Sequence, residues 1–562
     1  MAKVFAARAD EKHVKLPSGG GYSKVILTLL IGITIVGLGL RLACCFWGYP
    51  YQLHPDEHTV VDNAVDMVSR RSWEAYVYNR PDQFEIKCIA PLLALFAKLK
   101  YHLPIAEAYE AHKGNFYLIA RFYTCFFGTL LIPMMALFVE KLLSRGGLRK
   151  RYRGMAQILV AAVIALSPIY VQHSAYATPD MPLTFFSVLI AYLSIFYIEK
   201  GDRRLICAIS ILTGICITIK YPAAVMCPYI ALIVIYRAVK EKNPLRIRDE
   251  AIICIGLILL TMFFIAPNLF TNLRGVARAL IYESRSDHPG ADGLGFAGNL
   301  WFYVETILKN VGLVSALLFL LGAAYMIVHR AIEHASLLVF GIYWICLSVL
   351  SLHWERWGMP MYPAYVVLMA VGAAWLAQLL SDVRWKGTIV RRTALALLGA
   401  ALALIQVNVL SGSLAIVKQS FAPATRVIAS AYCEQQGITV ENSICDSRTL
   451  VGENWGIWGG SQANQFVVTD QGLQLAEEQA DKRYYLVCAH FMDYCFEEPE
   501  RYPAYTEVYQ ALDDSFSRIY EVEGKDIDSS MFEFRNIQYK WEYLLHETMP
   551  SGYTIYIYDM QG

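Results

Sequence analysis

The chain has 562 residues, 56% of them hydrophobic and only 17% charged, with a mean hydropathy of +0.38. Soluble domains run nearer 45–50% apolar and about 25% charged, which excludes a soluble globular protein and implies a polytopic membrane protein. The net charge of +1 says nothing about partners, because the informative quantity is where the positive charges lie.

Residues 1–24 form a basic tail carrying Lys3, Arg8, Lys12, Lys15 and Lys24, expected to be cytoplasmic. The apolar stretch Val25–Trp47 has the length of a spanning helix of about 20 residues. No clean small-residue cleavage site follows it, so it reads as a retained signal-anchor. Further apolar windows fall near 116–142, 155–171, 181–198, 205–219, 222–237, 250–267, 303–328, 336–352, 358–380 and 392–412, giving about 11 expected transmembrane helices. The segments SRGGLRKRYRG (144–154), EKGDRRL (199–205), VKEKNPLRIRD (239–249) and SDVRWKGTIVRR (381–392) are rich in Lys and Arg. The alternate segments, 48–115, 172–180, 268–302 and 353–357, are less consistently basic. Positive loops stay in the cytoplasm, so the N-terminus is expected inside and the C-terminal region outside.

Two outer loops exceed the length of a connector. The loop 48–115 holds EHTVVDNAVDMVSRR and CIAPLLALFAKLKY, both with helical spacing of apolar residues, as for two interfacial helices. The loop 268–302 is Gly-rich and mixed in charge, and is expected to be mobile. From about residue 413 the composition shifts to amphipathic helix patterns and short β-like runs, so 413–562 is expected to be a soluble extracytoplasmic α/β domain and 25–412 the transmembrane domain. Cys433, Cys445, Cys488 and Cys495 fall in it; outside the cytoplasm they are free to pair, in any of three ways, or to remain thiols in a small core.

Ionisable groups at membrane depth are costly and are functional candidates by default. At the outer ends of the spans stand His54, Asp56 and Glu57; Glu85 and Lys87; His173 and Asp180; Lys220; and His353, Glu355 and Arg356. Mixed signs gathered at one face suit a site that binds an anion and needs a base. Each has a plainer role open to it. Asp56 and Glu57 precede an amphipathic run and suit a helix start. Lys220 suits snorkelling, and Arg356 between Trp354 and Trp357 suits an aromatic belt. The histidines form no compact metal motif, and no Asp-x-Asp stands in an outer loop, so no metal or other cofactor is expected.

LHPDEHTVVDNA after the first span resembles the entry to the first outer loop of the C-type (GT-C) integral-membrane glycosyltransferases, the superfamily of protein O-mannosyltransferases and lipid A aminoarabinose transferase (glycosyltransferase family 39-like). FEIKCIAPLL is similar to that family's Glu-Lys-Pro-Pro-Leu stretch, with looser spacing and the first proline lost. LSPIYVQHSAYATPDMPLTFF, GICITIKYPAAV and HWERWGMPMYPAYVVL resemble later family motifs in the same order, so the resemblance spans about 25–412. It implies a polyprenyl-phosphate-sugar donor, a carboxylate base, assigned to Asp56 with Glu57 orienting the acceptor or the loop and as the alternative base, and a lipid-phosphate cradle from Lys87, Lys220 and Arg356. His54, Glu85, His173, Asp180, His353 and Glu355 are left as supporting, sugar-binding or acceptor-binding groups. Adjacent helical side chains diverge by about 100°, so only one of the two acids faces the pocket. Direct attack helped by one base implies inversion at the anomeric carbon. The expected partners are the lipid-linked donor, an acceptor protein, glycan or glycolipid, and the bilayer; no nucleic acid is expected. A multi-pass bacterial plasma-membrane protein is the expected setting, and a transporter or flippase of a lipid-linked substrate is the alternative.

Overall fold

Backbone in lipid has no water to bond, so an apolar window must close its hydrogen bonds within itself as a helix. The computed structural model, which describes residues 24–283, 293–350, 352–383, 388–446, 448–452, 461–469, 472–525, 537–546 and 549–561, obeys this through Ser420. In chain order the helices are α1 (Lys24–Cys44), α2 (Glu57–Ser69), α3 (Gln83–Phe96), α4 (Ile105–Leu142), α5 (Lys150–Leu166), α6 (Pro168–His173), α7 (Asp180–Lys200) and α8 (Arg203–Ile219). They continue as α9 (Met226–Lys240), α10 (Leu245–Ile265), α11 (Asn268–Thr271), α12 (Leu273–Glu283), α13 (Phe296–His329), α14 (Leu338–Leu347), α15 (Tyr362–Asp382) and α16 (Thr388–Ser420).

Every apolar window is at least partly helical, but among the described residues only seven helices are long and apolar enough to cross a membrane: α1, α4, α7, Tyr221–Lys240, Gly312–His329, α15 and α16. The other four windows fall short for visible reasons. The window 155–171 is cut at Ser167–Pro168 into α5 and α6, and α8 has 17 residues. The first turns of α10 carry Arg246, Arg248, Asp249 and Glu250. The window 336–352 divides between the 3-10 turn Ile332–Leu337 and the ten residues of α14. Other boundaries move too. α3 opens at Gln83, so Glu85 and Lys87 are helical; α4 starts at Ile105 and kinks at His112; and α16 runs past residue 412 to Ser420. In the 268–302 loop, residues 273–283 are helical as α12, and 284–292 lie outside the described residues, as does the basic tail before Lys24.

The break after α5 explains a buried charge that the spans would otherwise make costly. Pro168 has no amide hydrogen, so the carbonyl of Ile164 loses its usual donor four residues on. Arg41 of α1 supplies it: Nη2 donates to Ile164 O at 2.8 Å and Nη1 to Ala165 O at 3.0 Å, while Nε donates to Ser174 Oγ at 3.2 Å. Elsewhere α13 and α15 touch backbone to backbone. A Cβ added to Gly372 would lie 1.8 Å from Leu318 O, and one on Gly322 1.9 Å from Leu368 O. Small residues at such a crossing let helices approach where hydrophobic driving force between them is absent. The helices α2 and α3 have a core of their own, with Val61, Ala64, Ile86, Ile89 and Leu93 buried against Tyr109 and Phe116 of α4.

Beyond α16 the chain alternates α17 (Thr425–Gln436), β1 (Ser443–Cys445), β2 (Phe466–Thr469), β3 (Gly472–Leu475), β4 (Tyr484–Cys488), α18 (Ala489–Glu497), α19 (Pro503–Ser515), β5 (Ser517–Val522), α20 (Ile537–Leu545) and β6 (Ile555–Asp559). The main sheet has the order β1-β4-β6-β5, with β1 and β4 parallel and the other neighbours antiparallel. Cys433, Cys445, Cys488 and Cys495 are free thiols packed in this part. Several contacts join it to the helices. Lys540 Nζ of α20 donates to Asn408 Oδ1 of α16 at 2.8 Å. Arg426 of α17 donates to Leu53 O at 3.2 Å and to Leu450 O at 2.9 Å, over an apolar contact of Leu53, Ala424 and Val451.

Asp446 follows β1 and is fully buried, accepting from Gln462 N at 2.7 Å, Tyr509 Oη at 2.9 Å and Tyr485 Oη at 3.1 Å. Burial pushes its carboxyl up to about 6, against these hydrogen bonds, which favour the anion. The folded state therefore holds this proton more tightly than the unfolded chain. The stability it contributes is complete below about pH 4 and is lost as pH rises through about 6, by about 3 kcal/mol. Asp446→Asn, neutral at every pH, is expected to flatten the fall in unfolding temperature between pH 4.5 and 7. An unchanged slope would rule out Asp446 as its source.

Candidate active site

The turn between α1 and α2 sends the two adjacent acids to different places. Glu57 points inward and is fully buried. Arg121 of α4 grips it with two parallel bonds, Nε to Oε1 and Nη2 to Oε2, each 2.7 Å, and the amide of Ala177 donates to Oε1 at 2.9 Å. The remaining Nη1 of Arg121 donates to Cys45 O at 3.0 Å and Trp47 O at 2.7 Å. Glu57 thus fastens α2 to the end of α1, with its oxygens already engaged.

Asp56 precedes α2, and its side chain is one-fifth exposed. Its Oδ2 lies 2.6 Å from Arg356 Nη1 and 2.9 Å from Arg80 Nη1. Burial raises the carboxyl, but Arg356 and Arg80 together outweigh it and hold Asp56 well below the usual carboxylate range. His54 Nδ1 accepts from the Asp56 amide at 3.1 Å, so that nitrogen carries no proton. Burial accordingly keeps the His54 imidazole well below its usual range. Tyr176 connects His54 to His173, its ring centroid 4.4 Å from the first and 5.7 Å from the second.

Arg80 also reaches Asp82, with Nε 2.7 Å from Oδ2. Asp82 is fully buried immediately before α3 and has φ +46°, an unusual backbone for a residue with a Cβ. Its amide donates to Ile219 O at 3.2 Å, which ties the loop before α3 to the end of α8. The next residue, Lys220, sits in extended backbone between α8 and the 3-10 turn Tyr221–Val225. Its Nζ is 2.5 Å from Asp180 Oδ1, at the first residue of α7, and 5.8 Å from the centre of the Trp357 ring.

The other expected residues are placed less centrally. Glu85 is buried with no hydrogen bond to either oxygen among the described residues, and burial, with Asp82 adding to it, raises its carboxyl well above the usual range. Lys87 bonds Gln83 Oε1 at 2.7 Å and faces the Trp73 ring at 5.5 Å; no direct contact joins it to Asp56, Lys220 or Arg356. Burial brings its ammonium down to about 8. His353 packs on Phe302 with centroids 4.3 Å apart, and Glu355 opens the short turn Glu355–Gly358 that carries Arg356. The structure thus brings together Asp56, Arg356, Asp180 and Lys220, with His54 and His173 beside them.

Three residues of this network escaped sequence reading. Arg80 and Asp82 lie in YNRPDQF, between the two expected interfacial helices. A helix start at Gln83 would have marked Asp82 as the residue before it. Arg121 lies inside the window 116–142, where a charge flanked on both sides by apolar residues was itself a signal.

Residues 146–270 match the family model described as dolichyl-phosphate-mannose-protein mannosyltransferase. That segment lies within residues 25–412, over which the sequence resembles the C-type glycosyltransferases. The matched segment carries His173, Asp180 and Lys220 but neither Asp56 nor Arg356. No curated protein matches the chain. Among solved structures, ArnT from Cupriavidus metallidurans bound to undecaprenyl phosphate is similar at 14% identity and TM-score 0.43, over 74% of this chain and 73% of that one. The archaeal oligosaccharyltransferase AglB from Archaeoglobus fulgidus, in complex with an inhibitory peptide and a dolichol-phosphate, gives 12% identity and TM-score 0.48 over 89% and 73%. The S. cerevisiae protein O-mannosyltransferase Pmt1-Pmt2 complex bound to the sugar donor gives 16% and 0.33 over 46% and 35%. Likenesses at these scores carry nothing further.

Proposed function

We propose that this protein is an inverting glycosyltransferase that moves a sugar from a polyprenyl-phosphate-sugar to an acceptor hydroxyl at the outer face of a bacterial plasma membrane. The observation that carries this reading is the meeting of Asp56 with Arg356, beside the Lys220–Asp180 pair. The proposal includes eleven spans, a cytoplasmic N-terminus, and residues 413–562 as an outer soluble domain.

In this mechanism the acceptor oxygen forms its bond to the anomeric carbon on the face opposite the phosphate. The bond between that carbon and the phosphate oxygen breaks, and the electron pair leaves with the phosphate. The hydroxyl proton passes to Asp56, acting as general base. Arg356 and Lys220 meet the growing charge on the leaving phosphate, arginine being suited to grip two phosphate oxygens. Asp180 holds Lys220 in position. Lys87, which the family resemblance also points to as a phosphate ligand, would meet the donor on the Trp73 side of α3. With cations supplied by the chain, turnover is expected to need no metal.

A transporter would need ionisable groups along a path across the membrane. Asp56 follows α1, Asp180 opens α7, Lys220 ends α8 and Arg356 precedes α15, so these groups share one end of their helices. That favours chemistry at one face. The test is purified protein against a panel of radiolabelled polyprenyl-phosphate-sugars, scored for hydrolysis or transfer. One donor should be consumed, with equal rates with and without EDTA. Folded protein that consumes no donor across the panel would sink the reading.

A further inference from the structure

The two guanidiniums on Asp56 are held very differently. Arg80 has its Nη1 on Asp56 Oδ2, its Nε on Asp82 Oδ2 and its Nη2 donating to Asp56 O at 3.2 Å. Asp82 in turn is fixed to the end of α8 through its amide. Arg356 makes one ion pair among the described residues, with Asp56, and stands on the four-residue turn Glu355–Gly358. Arg80 is a fixture. Arg356 is the cation able to leave.

A phosphodiester arriving beside Lys220 offers Arg356 a better partner. A guanidinium forks onto two phosphate oxygens, and turning to do so takes it off Asp56 Oδ2. We propose that the donor phosphate displaces the Asp56 carboxylate from Arg356, so that seating the donor frees the base, while Arg80 acts as the positioning residue that keeps Asp56 in place. The proposal rests on the glycosyl-transfer reading and adds an order to it: donor first, then proton acceptance. Its value to the reaction is that a base held by two cations is a poor base, so a pocket without donor does not act on the acceptor.

The groups around Asp56 define what the exchange does to its proton affinity. They are His54 on its own turn, His58 in the first turn of α2, Arg80 and Asp82 before α3, His173 on α6, Asp180 on α7, Lys220 after α8 and Arg356 before α15. With Arg356 drawn away, Arg80 is the cation left in contact with Asp56. An opposite charge at this range is worth about 1–3 pH units of proton affinity, so the donor-loaded base should titrate at least about one unit higher than the empty one.

Steady-state pH profiles decide this, because kcat/KM follows the free enzyme and kcat the loaded one. At saturating acceptor, the acid limb of kcat should lie at least about one pH unit above that of kcat/KM for the donor. Arg356→Gln should raise donor KM about tenfold or more and bring the two limbs together at the higher pH. Arg80→Gln should lower kcat with little change in donor KM and keep the limbs apart, and Arg80→Lys should recover part of kcat. Coincident limbs in the unaltered protein would overturn the exchange, and so would a split that persists in Arg356→Gln. The first comparison needs no variant, so it decides even if Arg356→Gln fails to fold. A protein that transfers sugar with coincident limbs overturns this proposal alone; one that consumes no donor at any pH overturns the transferase reading with it.

Discussion

Asp56→Asn is expected to lower sugar transfer by a factor of about 10² to 10⁴, the usual contribution of a general base, while the protein stays folded. Asparagine keeps the shape of the side chain and cannot take up the acceptor proton. The substitution also leaves Arg80 and Arg356 without a shared counterion. Arg80 retains Asp82, 2.7 Å from its Nε, and Arg356 is part-exposed, so the fold should tolerate the change. The measurement is kcat with a radiolabelled donor, taken alongside thermal unfolding and size exclusion in detergent. Near-normal turnover would remove Asp56 from the mechanism. Asp82, the other carboxylate on Arg80, would then be the next candidate.

Glu57→Gln should behave in the opposite way, as a stability defect first. Its carboxylate and the Arg121 guanidinium are both buried and bonded at 2.7 Å through two parallel contacts. Removing one member of such a pair leaves an uncompensated buried charge and costs about 3–5 kcal/mol. Replacing both, as Glu57→Gln with Arg121→Met, should recover much of that loss, since well-packed neutral groups often substitute for a buried pair at little cost. Thermal unfolding of the two single variants and the double variant gives the coupling directly. If Glu57→Gln unfolded at the temperature of the unaltered protein yet transferred no sugar, Glu57 would be the base and Asp56 its support.

The fold was legible where a single property dominates. Long apolar runs became helices because lipid leaves the backbone no alternative. Windows fall short of one long apolar helix where local chemistry intervenes, at Pro168, at the charged start of α10 and at the turn Ile332–Leu337. Asp56, Asp180, Lys220 and Arg356 were legible because charges beside apolar runs are few. Which of the adjacent acids meets Arg356 was not, since it depends on Arg121, more than sixty positions away in the chain, claiming Glu57. Lys87 is a different case. A family motif points it to the phosphate, and the structure places its ammonium on Gln83 and over Trp73, apart from the Asp56–Arg356 pair. Arg80 carried no signal of its own: a lone arginine in a polar loop becomes meaningful only once the turn before α3 folds back on Asp56.

The bond from Arg426 to the carbonyl of Leu53 spans 373 positions of sequence and ends three residues before Asp56. Its practical meaning concerns how the protein can be dissected. Cutting the chain after α16 to obtain a smaller, better-behaved membrane part would strip the clasp from the turn that presents Asp56, along with the apolar contact of Leu53 with Ala424 and Val451. Such a fragment would keep every ionisable group of the pocket and still be slack where it must be rigid. Protease nicking between 421 and 562 should for the same reason extinguish turnover before it unfolds the helices, making the C-terminal part a working component of the machine.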